Sequence, residues 1–325
     1  MSGTPEISVV IPTRDRWSLL AAHALPSALE QEDVALEVIV VDDGSQDGTA
    51  ERAAGLGDDR IRVVRCEKSR RLAGARNAGI AVARAPWLAF LDDDDLWAPE
   101  KLRTQIDLAS AGGSEWAYAD TVVVDEQLRV LEADDFPDPD ELPSLLLTGN
   151  HVPGGGSSVI ARTDAVREVG GFDEGLLFFT DWDLWLRLVQ RGLPEACAEP
   201  LVARLVHPTN MLFREGPAVL ESLERMLGKH REVTREDRLA IAQWVAHRYR
   251  LAGRHGDAAR LYFDAARRYR SPGNAVAAAG SLAGPQGVRA AAWLLRRVRG
   301  ESHLDEKPRS APADPPWLER FRSPS

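Results

Sequence analysis

Cysteine is scarce. The 325 residues include two, Cys66 and Cys197, too few for a disulfide framework or a thiolate zinc site. A reducing cytoplasm is therefore the expected compartment. No run of about 18 apolar residues occurs, so no membrane-spanning helix is expected. The opening "MSGTPEISVVIPTRDR" has no basic leader followed by an apolar stretch and a small-residue cleavage site, so no secretory signal is expected. Aromatic residues make up 6% of the chain, and few fall in its basic part, which argues against nucleic acid as a partner. No strict internal repeat is found.

What is present is globular in character. Hydrophobic residues account for 44% and charged residues for 28%, close to soluble averages. At roughly 150 residues per domain the length suggests about two domains. The net charge of −10 conceals two opposed parts. Residues 1–215 carry 20 Lys+Arg against 38 Asp+Glu, whereas 216–325 carry 20 against 12. The first part suits a cation or a cation-carrying ligand; the second suits an anionic surface.

Apolar runs and helical stretches alternate along the first part. Strands are predicted at "ISVVIP" (Ile7–Pro12), "LEVIVV" (Leu36–Val41), "IRVVR" (Ile61–Arg65), "PWLAFL" (Pro86–Leu91) and Ala117–Val124. Helices are predicted at Trp17–Gln31, Asp47–Ala54, Leu72–Ala83 and Pro99–Ala111. Short β-branched runs between helices indicate βαβ units and a mostly parallel sheet buried on both faces. The pattern changes after about residue 125. A proline-rich loop covers 133–143, "GNHVPGGGSSVIA" turns into a strand at Ser157–Ala161, and a helix follows at Thr163–Val169. "TDWDLWLRLVQRG" reads as an amphipathic helix, and Leu201–His207 as a strand. Residues 217–299 read as helical, with breaks at Ser271–Gly273 and Gly284–Gln286. The proline-rich 301–325 reads as a disordered tail.

Four consecutive aspartates, Asp92–Asp95, follow the Trp87–Leu91 run. Acids favour helix N-termini by about 0.3–1 kcal/mol each, which accounts for one or two of them. A divalent-cation site accounts for more: Mg²⁺ and Mn²⁺ prefer oxygen ligands, and one or two carboxylates suffice when substrate phosphates complete the shell. Asp42 and Asp43 end the second strand, either as turn chemistry in "DDGS" or as acceptors for a base or ribose. In open α/β sheets ligands bind at such strand ends. Arg76 and Asn77, in the first turns of a Gly-containing helix, could meet phosphate oxygens; the alternative is a surface arginine on a closely packed helix. Asp181 is a helix cap or an acid facing a substrate. His207 is a structural histidine or a ligand.

Five blocks carry a resemblance: "ISVVIPTRDR", "LEVIVVDDGSQDGT", "AGARNAGIAVARAPWLAFLDDDDLWAPEKL", "SSVIARTDAVREVGGFDE" and "TDWDLWLRLVQRG". In this order they resemble the family-2 glycosyltransferases of the GT-A fold, over about residues 5–215. The resemblance implies an α/β GT-A (Rossmann-like) mixed, mostly parallel sheet flanked by helices, followed by a helical C-terminal region. It also implies an inverting transferase that uses a nucleotide-diphospho-sugar and Mg²⁺ or Mn²⁺. Pro12, Thr13 and Asp15 then match the nucleotide-contacting end of the first strand, and Asp42 and Asp43 the base-binding acids. Asp92 and Asp94 match the DxD acids, Asp94 for the metal and Asp92 for ribose, sugar or metal, with Asp93 counted in the nucleotide-sugar set. Asp181 matches the catalytic base, and His207 a histidine near the diphosphate, counted with the metal ligands. Thr180 stands where the family usually has glutamate, and Arg14 where many relatives have an aromatic residue.

The expected partners are the nucleotide-sugar donor and a glycan, lipid-linked or small-molecule acceptor, in cell-envelope glycan or glycoconjugate synthesis. The basic helices of 216–300 are candidates for peripheral membrane contact, at the inner face of a membrane, or for a packed helical hairpin. Two other classes compete with the transferase reading. One is a non-catalytic nucleotide- or sugar-binding module. The other is a sugar-phosphate nucleotidyltransferase, which would want a Gly-rich loop where "PTRDRW" has none.

Overall fold

The computed structural model describes residues 4–134, 136–206, 216–230, 234–251, 253–299 and 313–322. The chain divides into two units, one of Met1–Leu146, Asn150–His207 and Arg309–Ser325, the other of Leu147–Gly149 and Pro208–Pro308.

The first unit is built on one mixed sheet. Its strands are β1 (Ile7–Thr13), β2 (Leu36–Asp42), β3 (Ile61–Arg65), β4 (Trp87–Phe90), β5 (Leu96–Trp97), β6 (Trp116–Val124), β7 (Val130–Ala133), β8 (Val159–Arg162) and β9 (Glu195–Leu205). The order is β3-β2-β1-β4-β8-β6-β9-β5, with β7 on β6. β1 runs parallel to both β2 and β4, and β2 to β3. β8 lies antiparallel between β4 and β6, and β6 runs parallel to β9. This is the mixed sheet with flanking helices expected from the sequence. Two pieces escape that reading: β5 is two residues long, and β7 is a short, partly exposed edge strand.

β1 and β2 are buried along their whole length, as strands covered on both faces must be. Their interior polar groups are matched. Ser8 Oγ donates to Glu37 Oε1 at 2.7 Å, and Arg62 and Arg84 close on Glu37 Oε2 at 3.0 and 2.8 Å. Burial opposes the charge on Glu37, but the Ser8 and Arg84 hydrogen bonds hold its carboxyl below the usual value.

Proline shapes the unit twice. The helix expected over Trp17–Gln31 is two helices, Trp17–Ala22 and Ala24–Leu29, parted at His23. Pro26 has no N–H to give to Ala22, and its ring crowds that carbonyl. Pro12 ends a ladder. β1 pairs with β4 only as far as Val10↔Phe90, after which Leu91 N–H donates to Val10 O. Pro12 lies two residues on, on the same side of the strand, where a missing N–H costs nothing because β4 has already turned away. β1 stays paired with β2 to Thr13↔Asp42. A crevice thus opens between the carboxyl ends of β1 and β4, at the switch in strand order.

The Arg71–Val82 helix lies close against this sheet. A Cβ on Gly79 would stand 2.4 Å from Val10 Cγ1, so only glycine allows the approach. At the other end of the chain, part of the tail expected to be disordered has a fixed place. Pro316–Phe321 forms a 3-10 turn whose Trp317 and Leu318 join the apolar cluster of Leu96, Val122, Val124 and Leu205. Trp317 Nε1 donates to Pro200 O at 2.9 Å. In the sequence, the prolines of this tail outweigh one tryptophan-leucine pair; in the fold, that pair decides.

The second unit contains the helices Gly216–Lys229, Arg235–Leu251, His255–Tyr269, Pro272–Leu282 and Gly284–Arg299. Two breaks fall where the sequence suggests: Pro272 starts a helix, and Gly284 takes a left-handed φ of +72° before the last one; the breaks after Lys229 and Leu251 are not among those expected. Gly280 and Gly287 bring the last two helices to backbone contact, since a Cβ on Gly287 would meet Gly280 O at 2.5 Å. Among the described residues no helix is long and apolar enough to cross a membrane.

Candidate functional site

The crevice collects acids from three strand ends. Thr13 ends β1, Asp42 ends β2, and Asp92–Asp95 follow β4 in a turn closed by Asp95 N–H on Asp92 O. Inside the turn the side chains alternate. Asp93 and Asp95 point into the protein. Asp93 accepts Thr13 Oγ1 at 2.7 Å and an Arg16 nitrogen at 3.1 Å. Burial pushes its carboxyl up to about 7, against the pull of Arg16. Asp95 accepts Ser157 Oγ at 2.6 Å and Leu205 N–H at 3.2 Å. Burial, with Asp94 and Asp92 beside it, holds Asp95 well above the ordinary carboxylate range. Asp92 and Asp94 face the crevice. Arg76 meets Asp92 Oδ1 at 2.6 Å, and Arg16 meets Asp94 Oδ2 at 2.5 Å.

The four carboxylates therefore divide by position. Asp93 and Asp95 brace the turn; the carboxylate of Asp93, expected in the nucleotide-sugar set, is held by Thr13 and Arg16. Asp92, with its side chain 37% exposed, opens outward, whereas Asp94 lies two residues on beneath the Arg16 guanidinium. Among the described residues no group of three or more His, Cys, Asp or Glu could hold a metal ion. The donor set that exists, two carboxylates on one turn, fits a hard cation whose remaining ligands come from a phosphate-bearing substrate and water.

On the β2 side the paired acids also part company. Asp42 Oδ1 accepts Ser45 N–H at 2.8 Å, while its buried Oδ2 has no hydrogen bond and lies 4.0 Å from Arg65 Nε. Asp43 accepts Ser69 Oγ and the backbone N–H groups of Arg70 and Arg71, at 2.6, 2.6 and 3.0 Å. These three bonds anchor the start of the Arg71–Val82 helix. Asp15 takes a left-handed φ of +52°. Its N–H donates to Ser45 Oγ and its carboxylate accepts Gln46 N–H, which ties the loop after β1 to the loop after β2. Pro12 sits just past the end of the β1–β4 ladder. Asn77 is likewise committed: its amide accepts Phe172 N–H at 2.9 Å and donates to Phe172 O at 2.8 Å.

Arg76 differs from its neighbour. Its guanidinium is almost wholly buried and lies over the Phe172 ring at 5.0 Å. From there its charge also reaches Asp181. Asp181 is in the first turn of the Thr180–Leu188 helix, entered through Phe179 at φ +63°. One carboxylate oxygen accepts Trp182 N–H at 2.9 Å and the other Asn150 Nδ2 at 3.2 Å. Burial raises the Asp181 carboxyl, and Arg76 acts against that rise. Between Arg76 and Asp181 runs Gly154–Gly156. Gly154 and Gly155 have φ of +62° and +56°; a Cβ on Gly155 would lie 3.0 Å from Asp181 Oδ2, and one on Gly156 2.8 Å from Arg76. The main chain at Gly155 and Gly156 thus passes close to both side chains, closer than a Cβ would comfortably allow.

Other residues in the region are structural. Asp183 is buried against Arg187 at 2.6 Å, and Trp185 stacks on Trp116 at 5.9 Å. Thr180 is buried. His207 lies outside the described residues. Four residues of the site are not singled out by the sequence: Arg16 on the acidic turn, Ser157 between Asp92 and Asp95, Asn150 on Asp181, and Arg204, which pairs with Asp134 at 3.2 Å. Of these only Arg16 has a signal, as a basic residue just past the first strand end; the others are brought in from distant parts of the chain.

Comparison with known proteins gives a consistent picture. Residues 8–129 match Glycosyl transferase family 2. The succinoglycan biosynthesis protein ExoO of Rhizobium meliloti strain 1021 is 30% identical over 259 residues, which cover 75% of this chain and 72% of ExoO. WfgD of Escherichia coli, a UDP-Glc:alpha-D-GlcNAc-diphosphoundecaprenol beta-1,3-glucosyltransferase, is 30% identical over 118 residues, 36% of this chain and 46% of WfgD. Among solved structures, residues 1–349 of TarS from S. aureus, in complex with UDP, superpose with a TM-score of 0.52 at 16% identity, over 90% of this chain and 85% of that one.

Proposed function

The chain belongs to glycosyltransferase family 2, and from that premise we propose that it transfers a sugar, with inversion, from a nucleoside-diphosphate donor to an acceptor hydroxyl. The observation that carries this reading is the convergence of Asp42, Asp92, Asp94, Arg76 and Asp181 on one crevice at the strand ends. The catalytic unit of the proposal is 1–215. Asp42, with an unused buried oxygen, accepts from the base or ribose. Asp92 and Asp94 lie where the diphosphate would cross from β2 to β4. A Mg²⁺ or Mn²⁺ ion held there by Asp94, with Asp92, would offset the negative charge that grows on the departing nucleoside diphosphate.

The protein's own part is orientation and proton transfer. The acceptor oxygen attacks the anomeric carbon from the face opposite the leaving group. The new C–O bond forms as the bond to the diphosphate oxygen breaks, and the acceptor proton passes to Asp181. Asp181 is positioned for this by Trp182 N–H and Asn150, which hold both carboxylate oxygens. Arg76 favours the ionised, proton-accepting form of Asp181. The acceptor enters past the loop of about 133–156, which contains Asn150 and the three glycines. Since WfgD is named for a lipid-diphosphate-linked sugar acceptor, a saccharide of a cell-envelope glycan is the acceptor class we propose.

The test is binding and release. Isothermal titration with UDP, GDP, ADP and dTDP is expected to give Mn²⁺-dependent binding of one base, and each nucleotide-sugar of that base is then assayed for nucleoside diphosphate release. EDTA is expected to reduce release to background and Mn²⁺ or Mg²⁺ to restore it. Uptake of no nucleotide with either ion would overturn the reading.

The second unit is proposed to touch an anionic lipid surface through its last helix. Val288, Ala291, Ala292 and Leu295 are buried, whereas Arg289, Trp293, Leu294 and Arg297 are exposed, with Arg297 over the Trp293 ring at 5.3 Å. An outward row of arginine and tryptophan suits a headgroup region. Flotation with phosphatidylglycerol vesicles is expected to recover the full chain at low salt. Recovery is expected to fall several-fold for Trp293→Ala combined with Arg297→Glu; equal recovery of both proteins would refute the contact.

A further inference from the structure

We propose that Arg16 is the resident counter-charge of the acidic turn, and that it swings from Asp94 onto the donor diphosphate when the nucleotide-sugar enters. This rests on the transferase reading and adds to it a residue that recognises the donor's phosphates.

Arg16 is mounted firmly. Its neighbours on both sides are pinned to the loop after β2. Asp15 is held by Ser45 and Gln46, and Trp17 N–H donates to Asp47 Oδ2 at 3.2 Å. The side chain between them crosses the mouth of the crevice to the turn after β4, where its two terminal nitrogens meet different carboxylates, Asp93 at 3.1 Å and Asp94 at 2.5 Å. Arg16 thus spans the path that a nucleoside diphosphate would follow from Asp42 to Asp92 and Asp94.

The two arginines of the site are built differently. Arg76 is 3% exposed in its side chain and lies over a phenylalanine ring; Arg16 is 29% exposed. The first is fixed in the wall, and the second reaches in from the rim. A planar guanidinium forks across two oxygens, and phosphate offers the same geometry as the paired carboxylates it now holds. A cation on Asp94 Oδ2 would compete for the oxygen that Arg16 occupies. Displaced by a cation arriving with a diphosphate, the guanidinium finds new acceptors within the same side-chain reach. The acidic turn is therefore never left with its charges bare, either before the donor binds or after.

Two affinities that a merely structural arginine would move together should here move apart. Mn²⁺ alone, measured at pH 8 by electron paramagnetic resonance on the full chain, should bind Arg16→Gln about fivefold or more tightly than the parent, because the competing charge is gone. UDP with saturating Mn²⁺, or whichever nucleoside diphosphate the parent takes, should bind the same variant about tenfold or more weakly, because a charge-assisted phosphate contact is lost. Arg16→Lys, which keeps the charge without the fork, should fall between the two on both measures. Unchanged nucleotide affinity in Arg16→Gln, or Mn²⁺ affinity that does not rise, overturns the proposal. So does loss of both ligands in both variants, which would make Arg16 a brace of the fold. Failure of the parent to bind any nucleoside diphosphate would instead sink the transferase reading and the donor half with it. The Mn²⁺-alone comparison would still report whether the guanidinium competes for Asp94.

Discussion

Asp181→Asn should lower transfer by about 10³-fold, within the range that a positioned general base supplies, while donor binding stays near that of the parent. The substitution is nearly isosteric. The introduced amide keeps an oxygen for Trp182 N–H, and a rotation of the Asn150 amide would offer its oxygen, which has no hydrogen bond at present, to the new NH₂ group. Folding should not suffer. A carboxyl raised by burial binds its proton more tightly in the folded chain, so it withdraws stability as pH climbs from the ordinary value to the raised one. The uncharged amide has no such penalty, and the melting temperature at pH 8 should be no lower than the parent's. Nucleoside diphosphate release, titration calorimetry and thermal melting check the three parts. Undiminished turnover would remove Asp181 from the chemistry.

Removing the charge of Arg76 should have the next largest effect. Arg76→Gln takes away a buried cation that contacts Asp92 and acts on Asp181. A loss of about 10²–10³-fold in kcat/KM is expected, the size seen when one preorganised electrostatic partner is deleted. The pH dependence gives the sharper check. Arg76 favours the ionised form of Asp181, so without it the carboxyl rises further and more of the base carries a proton at any given pH. The acid limb of kcat/KM should therefore move to higher pH. Arg76→Lys should leave the limb nearer its original place, yet lose rate, since an ammonium cannot stack on Phe172 as a planar group does. A stationary limb in Arg76→Gln would detach this arginine from the base.

Much of the fold is legible in the sequence because burial on both faces writes continuous apolar runs. β1 and β2 end within a residue of the sequence reading, and β3 coincides with it. Where that signal is absent the reading fails. β5 is too short to show a period, β7 is an edge, and Pro26 divides a helix whose apolar spacing continues through it. The site is legible by location, since acids after buried strands mark the carboxyl edge. Which acid faces the crevice is not. Asp43 and Asn77 look as available in the sequence as Asp42 and Arg76; only the tertiary bonds separate two side chains held by backbone groups from an Asp42 with one unbonded oxygen and an Arg76 that meets Asp92. Arg16 shows only as a basic residue past the first strand end; its partners lie far along the chain, 78 positions away in the case of Asp94.

The stretch Gly154–Gly156 has a consequence for anyone hoping to retarget the enzyme. Two of its positions need a backbone shape that side chains resist, and the third abuts a guanidinium. Substitutions at Gly154 and Gly155 would be strained whatever side chain is added. If the loop proposed for the acceptor does set its choice, variation belongs in 136–146, where no residue takes a left-handed φ, with the glycine triplet kept as a fixed frame.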